Sequence, residues 1–222
     1  MRLLALLLAA LPIGHSVDGR TIRPVVLGEP GAAHRVLVVG CIHGSETAGM
    51  AITRRLVAAG APRGTEIVVL HALNPDGCAR GTRGNAHGVD LNRNFPSNWA
   101  AIGHRGDLQY SGPHALSEPE SRYAVALIDA LQPQITIWFH QPQGVVRAWG
   151  GSVATARRFA ALAHYPYRSI EWPYGTASNW QNHKFPGTAS FVVELPPGPV
   201  PAARIGVWVH AVREIAVEGA RG

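Results

Sequence analysis

The chain has 222 residues, 46% hydrophobic and 15% charged, enough for one globular domain with a sizeable core. Its formal charge of +6 rests almost wholly on arginine, with Lys184 the sole lysine, and favours anionic partners. No basic helix stripe or nucleic-acid motif accompanies the charge. Nucleic acid is therefore not the expected partner, and a carboxylate-rich substrate or an anionic cell wall fits better.

Met1-Arg2 followed by the apolar run 3–11 resembles a signal peptide. It is too short to span a bilayer, which needs roughly 20 residues. Residues 1–13 are therefore read as a possible signal peptide or apolar leader, and 14–222 as one domain. Export, to the medium or the cell wall, is expected. A cytoplasmic chain with an apolar first helix is the alternative, and no other stretch suggests stable membrane insertion. Thr21 to Leu27 is strand-like, and Pro24 places it at an edge. Arg35 to Gly40 (R-V-L-V-V-G) has the pattern of a central strand covered on both faces. Ala48 to Ala59 reads as a helix with Ile52, Leu56 and Ala59 on one face, and Glu66 to Leu70 as a second buried strand.

Residues 74–113 show little periodicity and many Gly, Asn and Arg, the mark of a functional loop. Asn74-Pro75-Asp76-Gly77 is a turn signal. Ser117-Glu118-Pro119-Glu120 reads as a capping box. It opens a helix striped by Ala124, Leu127, Ile128 and Leu131, which Pro133 stops. Gln134 to Phe139 is a third strand, ending at His140. Val145 to Trp149 is a short strand, Ser152 to His164 a helix, and 165–183 aromatic and irregular. Thr188 to Val193 is a strand ending at Glu194. Pro201 to Val217 is a closing helix. Strands alternating with helices predict a single three-layer α/β/α domain with a mixed, mostly parallel sheet. For Cys41 and Cys78, two buried free thiols are the favoured reading; a single bridge is the other.

His43, His140 and Glu194 each sit just past the carboxyl end of a strand, where open α/β sheets build their sites. His43 and Glu46 lie three residues apart, so one turn can aim an imidazole and a carboxylate at one point. With His140 they make two imidazoles and one carboxylate, the ligand set of a catalytic zinc that keeps a position open. Glu194 follows an apolar run directly and would be costly to bury unless paired or functional. It is the candidate general base. In the polar stretch, Arg83 can polarise a carbonyl or bind a carboxylate, and Asn92 and Arg93 can clamp one. Asp90 and Asn94 are read as loop-holding residues.

Together, His43-x-x-Glu46, Asn74-Pro75-Asp76-Gly77, the block Gly88-Val89-Asp90-Leu91-Asn92-Arg93-Asn94-Phe95, His140 and Glu194 resemble the zinc carboxypeptidase family, carboxypeptidase A-like. The resemblance covers about residues 14 to 217 and is most similar to the murein peptide amidase branch, which cleaves the γ-D-glutamyl–diaminopimelate bond. It implies one zinc per chain on His43, Glu46 and His140, with Glu194 as base. It also implies Arg83 at the scissile carbonyl and Asn92 and Arg93 on a terminal carboxylate. The implied partner is a peptide with a free terminal carboxylate, cell-wall derived. Tyr174 is the best match to the family's mobile tyrosine. Arg147, Trp149, Asn179 and Trp180 are candidates for the specificity pocket, with packing and surface charge equally open. The alternative activity is that of a zinc-dependent N-acyl amino acid deacylase of the aspartoacylase or succinylglutamate desuccinylase type.

Overall fold

The computed structural model describes residues 11–219, so the leader lies, up to residue 10, outside the described residues. In chain order the elements are β1 (Gly14–His15), β2 (Thr21–Ile22), β3 (Val25–Gly28), β4 (His34–Val39), α1 (Ala48–Ala59), β5 (Thr65–Leu70) and α2 (Pro75–Arg80). They continue with α3 (Pro119–Leu131), β6 (Ile135–His140), β7 (Val145–Ala148), α4 (Val153–Leu162), β8 (Tyr167–Ser169), α5 (Ala177–Lys184), β9 (Ala189–Glu194) and α6 (Ala202–Glu218). A one-turn 3-10 helix spans Leu91–Arg93. No helix among the described residues is long and apolar enough to cross a membrane.

Seven strands form one sheet in the order β3-β5-β4-β6-β9-β7-β8. β5, β4, β6 and β9 run parallel. β3 closes one edge antiparallel to β5, and β7 turns antiparallel to β9. The mixed, mostly parallel sheet is thus as expected. Every residue of β5, β6 and β9 is buried, because helices and loops cover both faces. Side chains alternate faces along a strand. On one face, Phe139 meets Trp208 of α6 and Phe191 meets Phe159 of α4. On the other, Trp138 packs on Phe95, which packs on Trp180 of α5. His140 shares the Trp138 face by the same alternation.

Four local expectations are corrected. Asn74-Pro75-Asp76-Gly77 opens a helix rather than a turn: the Asn74 side chain accepts from Gly77 N at 2.8 Å and Pro75 takes the first helical position. The two structures share the same capping chemistry. The capping box does not form, because Glu118 occupies the cap position of α3 and Glu120 accepts instead from Val17 N and Asn85. The stretch after Tyr165 contains α5, invisible to apolar periodicity because its buried face is polar. Gln181 there donates to Thr136 and Asn182 to the Ser190 carbonyl. Cys41 and Cys78, finally, are paired as a disulfide rather than free. The bridge ties the end of the β4 segment to α2.

Candidate active site

The turn after β4 carries the first two candidate ligands. Glu46 N donates to His43 O at 2.9 Å, folding the chain so that both side chains face one point. Gly44 between them is required by close approach: a Cβ there would run into the Gly77 and Cys78 backbone. His140 and Glu194 are the last residues of β6 and β9 and are Cα partners across the parallel ladder. Both therefore project from the same sheet face, side by side.

The ligand atoms of His43, Glu46 and His140 all lie within 4.8 Å of one another, and all three residues are buried. His43 Nδ1 is 3.0 Å from Glu46 Oε1, and His140 Nδ1 is 3.0 Å from Glu46 Oε2. The second carboxylate oxygen also accepts from Gln141 N. His43 Nε2 pairs with Asp90 Oδ1 at 2.8 Å. Its Nδ1 is buried with no hydrogen-bond partner. A carboxylate holding the far nitrogen fixes the tautomer and leaves Nδ1 a free lone pair, as in a carboxylate–histidine–metal relay. These donors fit a zinc ion.

The electrostatics agree. Burial lowers the His43 pKa, but Asp90 and Glu46 outweigh it and the net direction is up. Burial raises that of Glu46, yet the hydrogen bond with His140 and the close approach of the His43 ring hold it far below the usual carboxylate range. Asp90 is likewise held down, burial being overcome by His43, Arg83 and Arg93. Two carboxylates that stay ionised around an unpaired imidazole nitrogen favour positive charge there.

Beside these ligands opens a cavity of about 290 Å³. It is lined by Arg83, Asn92, Arg93, Arg147, Glu194 and the apolar faces of Trp172, Pro173 and Val192, among others. Arg83 donates from Nη1 to Glu46 at 2.7 Å and from Nε to Asp90 at 3.0 Å. Asn92 Oδ1 accepts from Ala177 N at the start of α5. Arg93 Nη1 donates to Asn92 O at 2.8 Å. Burial lowers the Arg93 pKa; Asp90 opposes this, and the charges of Arg83 and Arg147 add to it. Glu194 is buried, with Oε1 3.5 Å from Arg147 Nη1 and Oε2 without a partner.

Seven of the eight residues singled out from sequence thus line one cavity. The exception is Tyr174, which is 58% exposed and does not line it, although Trp172, Pro173 and Thr176 do. Gly175 explains the local path. Its φ of 66° suits glycine, and a Cβ there would collide with Arg93 O. The chain therefore turns tightly against the Arg93 backbone and leaves Tyr174 outside. Of the four pocket candidates only Arg147 lines the cavity. Trp149 is exposed, while Asn179 and Trp180 are buried in α5 and its packing. Asp90 does more than hold the loop. It does cap the Leu91–Arg93 turn, and it also orients both His43 and Arg83. The signal was available, since a ligating histidine needs a carboxylate behind it.

Fold and site together define an α/β protein with a His–Glu–His cluster able to hold a metal ion, opening onto an arginine-lined cleft. Residues 7–184 match the family model for zinc carboxypeptidases, and the chain belongs to that family of zinc-dependent metallopeptidases. Murein peptide amidase A of Escherichia coli K12 is 33% identical over 148 residues, covering 60% of this chain and 61% of that protein. The crystal structure of murein-tripeptide amidase from Escherichia coli O157 superposes with a TM-score of 0.72 at 24% identity, covering 94% of both chains. Carboxypeptidase A from Helicoverpa armigera superposes at 0.78 with 18% identity, covering 94% of this chain and 68% of that one.

Proposed function

We propose that the protein is a zinc-dependent amidase that releases a carboxylate-bearing terminal residue from wall-derived peptides, acting on the γ-D-glutamyl–diaminopimelate bond. One observation carries this reading. The buried, unpaired Glu194 Oε2 lines the same cavity as the three ligands, together with arginines suited to an anionic end group. The relative named murein peptide amidase supports a wall-peptide substrate, and the choice of bond follows from the family resemblance.

Zinc held by His43, Glu46 and His140 would supply Lewis acidity toward water and the scissile carbonyl. Glu194 accepts a proton at Oε2 from the attacking water and returns it to the departing amine nitrogen. Arg83 Nη1 is the cationic donor nearest the ligands and stabilises charge developing on the carbonyl oxygen. Asp90 keeps Arg83 and His43 in place. Arg93 and Asn92 bind the terminal carboxylate and so set the scissile bond against the ligands. The leader at 1–13 suggests export, and a Cys41–Cys78 bridge suits an oxidising compartment.

The test is incubation of purified protein with L-Ala-γ-D-Glu-diaminopimelate, with ordinary C-terminal peptides and with N-acyl amino acids, reading which amine is released. Release of diaminopimelate is expected. Cleavage confined to N-acyl amino acids would move the protein to the deacylase reading.

A further inference from the structure

Arg147 lies on β7 as the Cα partner of Val192, two residues before Glu194 on the neighbouring strand. Its side chain is only 16% exposed. It faces the cavity, yet the distance from Nη1 to Glu194 Oε1 is 3.5 Å, longer than a charge-assisted hydrogen bond of about 2.7–2.9 Å. Its Nε is buried with no hydrogen-bond partner. A guanidinium this enclosed is costly unless its donors are met. The other two cavity arginines have assignments. Arg83 is held by Glu46 and Asp90, and Arg93, beside Asn92, suffices for one terminal carboxylate. Arg147 is thus the remaining arginine, engaged by the long 3.5 Å ion pair to Glu194. It lines the cavity with Val192, and Trp172 and Pro173 offer apolar surface to an aliphatic chain.

We infer that Arg147 is the specificity-determining contact for a second carboxylate, carried at the end of an aliphatic side chain on the released residue. The occupant is a diacid: Arg93 and Asn92 take its main-chain carboxylate and Arg147 the distal one. This rests on the amidase reading for the choice of peptides, and goes beyond it in saying which residue distinguishes diaminopimelate from its monocarboxylate analogue. Lysine is that analogue, differing only by the distal carboxylate.

The experiment compares L-Ala-γ-D-Glu-diaminopimelate with L-Ala-γ-D-Glu-L-Lys, using wild type, Arg147→Gln and Arg147→Lys. A site that leaves a buried polar group unpaired by the wrong substrate discriminates strongly. The wild-type ratio of kcat/KM is therefore expected to favour the diacid by about 100-fold or more. Arg147→Gln should bring that ratio to within about threefold of unity, and Arg147→Lys should restore part of it. A wild-type ratio near unity overturns the inference. So does an Arg147→Gln variant that slows both substrates equally and keeps the ratio, because Arg147 would then act only by positioning Glu194. If the variant loses its zinc or its circular-dichroism signature, competitive inhibition of wild type by free diaminopimelate and free lysine decides instead. Tighter inhibition by diaminopimelate supports the inference and equal inhibition overturns it. If neither wall peptide is cleaved but α-linked peptides are, the amidase reading fails. The Arg147 inference is then judged by the same ratio on peptides ending in glutamate and glutamine.

Discussion

The two sources of the site differ in how they are held. His140 and Glu194 end adjacent strands, and a six-residue parallel ladder from Ile135↔Ala189 to His140↔Glu194 sets their separation. Arg83, Asp90, Asn92 and Arg93 come from the 74–118 region, which contributes no strand to the sheet. There the backbone is held by side chains. Asn74 Nδ2 donates to Arg83 O, Asn85 Oδ1 accepts from Val89 N, and Asn94 Nδ2 reaches Ser111 O, His114 O and Ser117 Oγ. Of the four groups proposed to hold metal or move protons, His140 and Glu194 sit on this rigid ladder, where sub-ångström placement is inexpensive, and His43 and Glu46 on the tight turn just after β4. Groups proposed to grip the substrate sit on a loop that is only as stiff as its amide network. Damage to the first region should therefore remove chemistry at constant fold, whereas damage to the second should weaken binding, orientation or stability.

The sharpest break of that contrast is Glu194→Gln, which keeps the shape of the strand end and removes the base. Turnover is expected to fall by about 10³-fold or more, while metal analysis still finds about one zinc per chain, the stoichiometry that one three-ligand site implies. Near-normal activity would remove Glu194 from the base role, and absence of zinc from wild-type protein would sink the mechanism.

On the loop side, Arg93→Gln tests binding. For peptides with a free terminal carboxylate, kcat/KM should drop by about 100-fold, mostly through KM. The corresponding terminal amides should be hardly affected. An equal loss on both would mean that Arg93 holds the loop rather than the substrate. Asp90→Asn comes next, since Asp90 joins the two regions by holding His43 from the loop. Zinc affinity should weaken by about 10–100-fold, read by competition with a chelator. Unchanged affinity would return Asp90 to a purely structural role.

The strand side was legible because two periodicities coincide there. β-Branched runs mark buried parallel strands, and a charged or imidazole residue directly after such a run is conspicuous, as at His140 and Glu194. The loop was legible only in its residue types. Arg83, Asn92 and Arg93 could be named, but what holds them could not, because Asn94 reaches distant carbonyls, Asn85 the Glu118 and Glu120 side chains, and Asp90 the distant His43 ring. Helix α5 escaped for a related reason. Ser178, Asn179 and Gln181 are buried polar residues, so its inward face carries no apolar stripe. Tyr174 lies outside the cavity because the left-handed Gly175 turns the chain against Arg93, and no residue spacing reveals that placement. The disulfide joins residues 37 apart, and two cysteines alone do not say that their segments meet.

The smallest expected effect concerns the acidic support beneath the loop. Glu120 is fully buried, accepting from Val17 N at 3.1 Å and from Asn85 Nδ2 at 2.9 Å. Burial raises its pKa, the Asn85 and backbone hydrogen bonds only partly opposing it. A carboxyl whose folded pKa lies above its unfolded one binds its proton more tightly in the native state. Its contribution is therefore fully present below the unfolded pKa and is lost as pH rises through the folded one. Glu120→Gln removes that titration at the cost of one hydrogen bond to Asn85, a constant offset. The stability difference between wild type and variant, from urea midpoints at several pH values, should shrink as pH rises through and just above the ordinary carboxylate range, then level off. A pH-independent difference would show that Glu120 has the same proton affinity folded and unfolded. A difference growing with pH would show that the Asn85 and Val17 contacts outweigh burial.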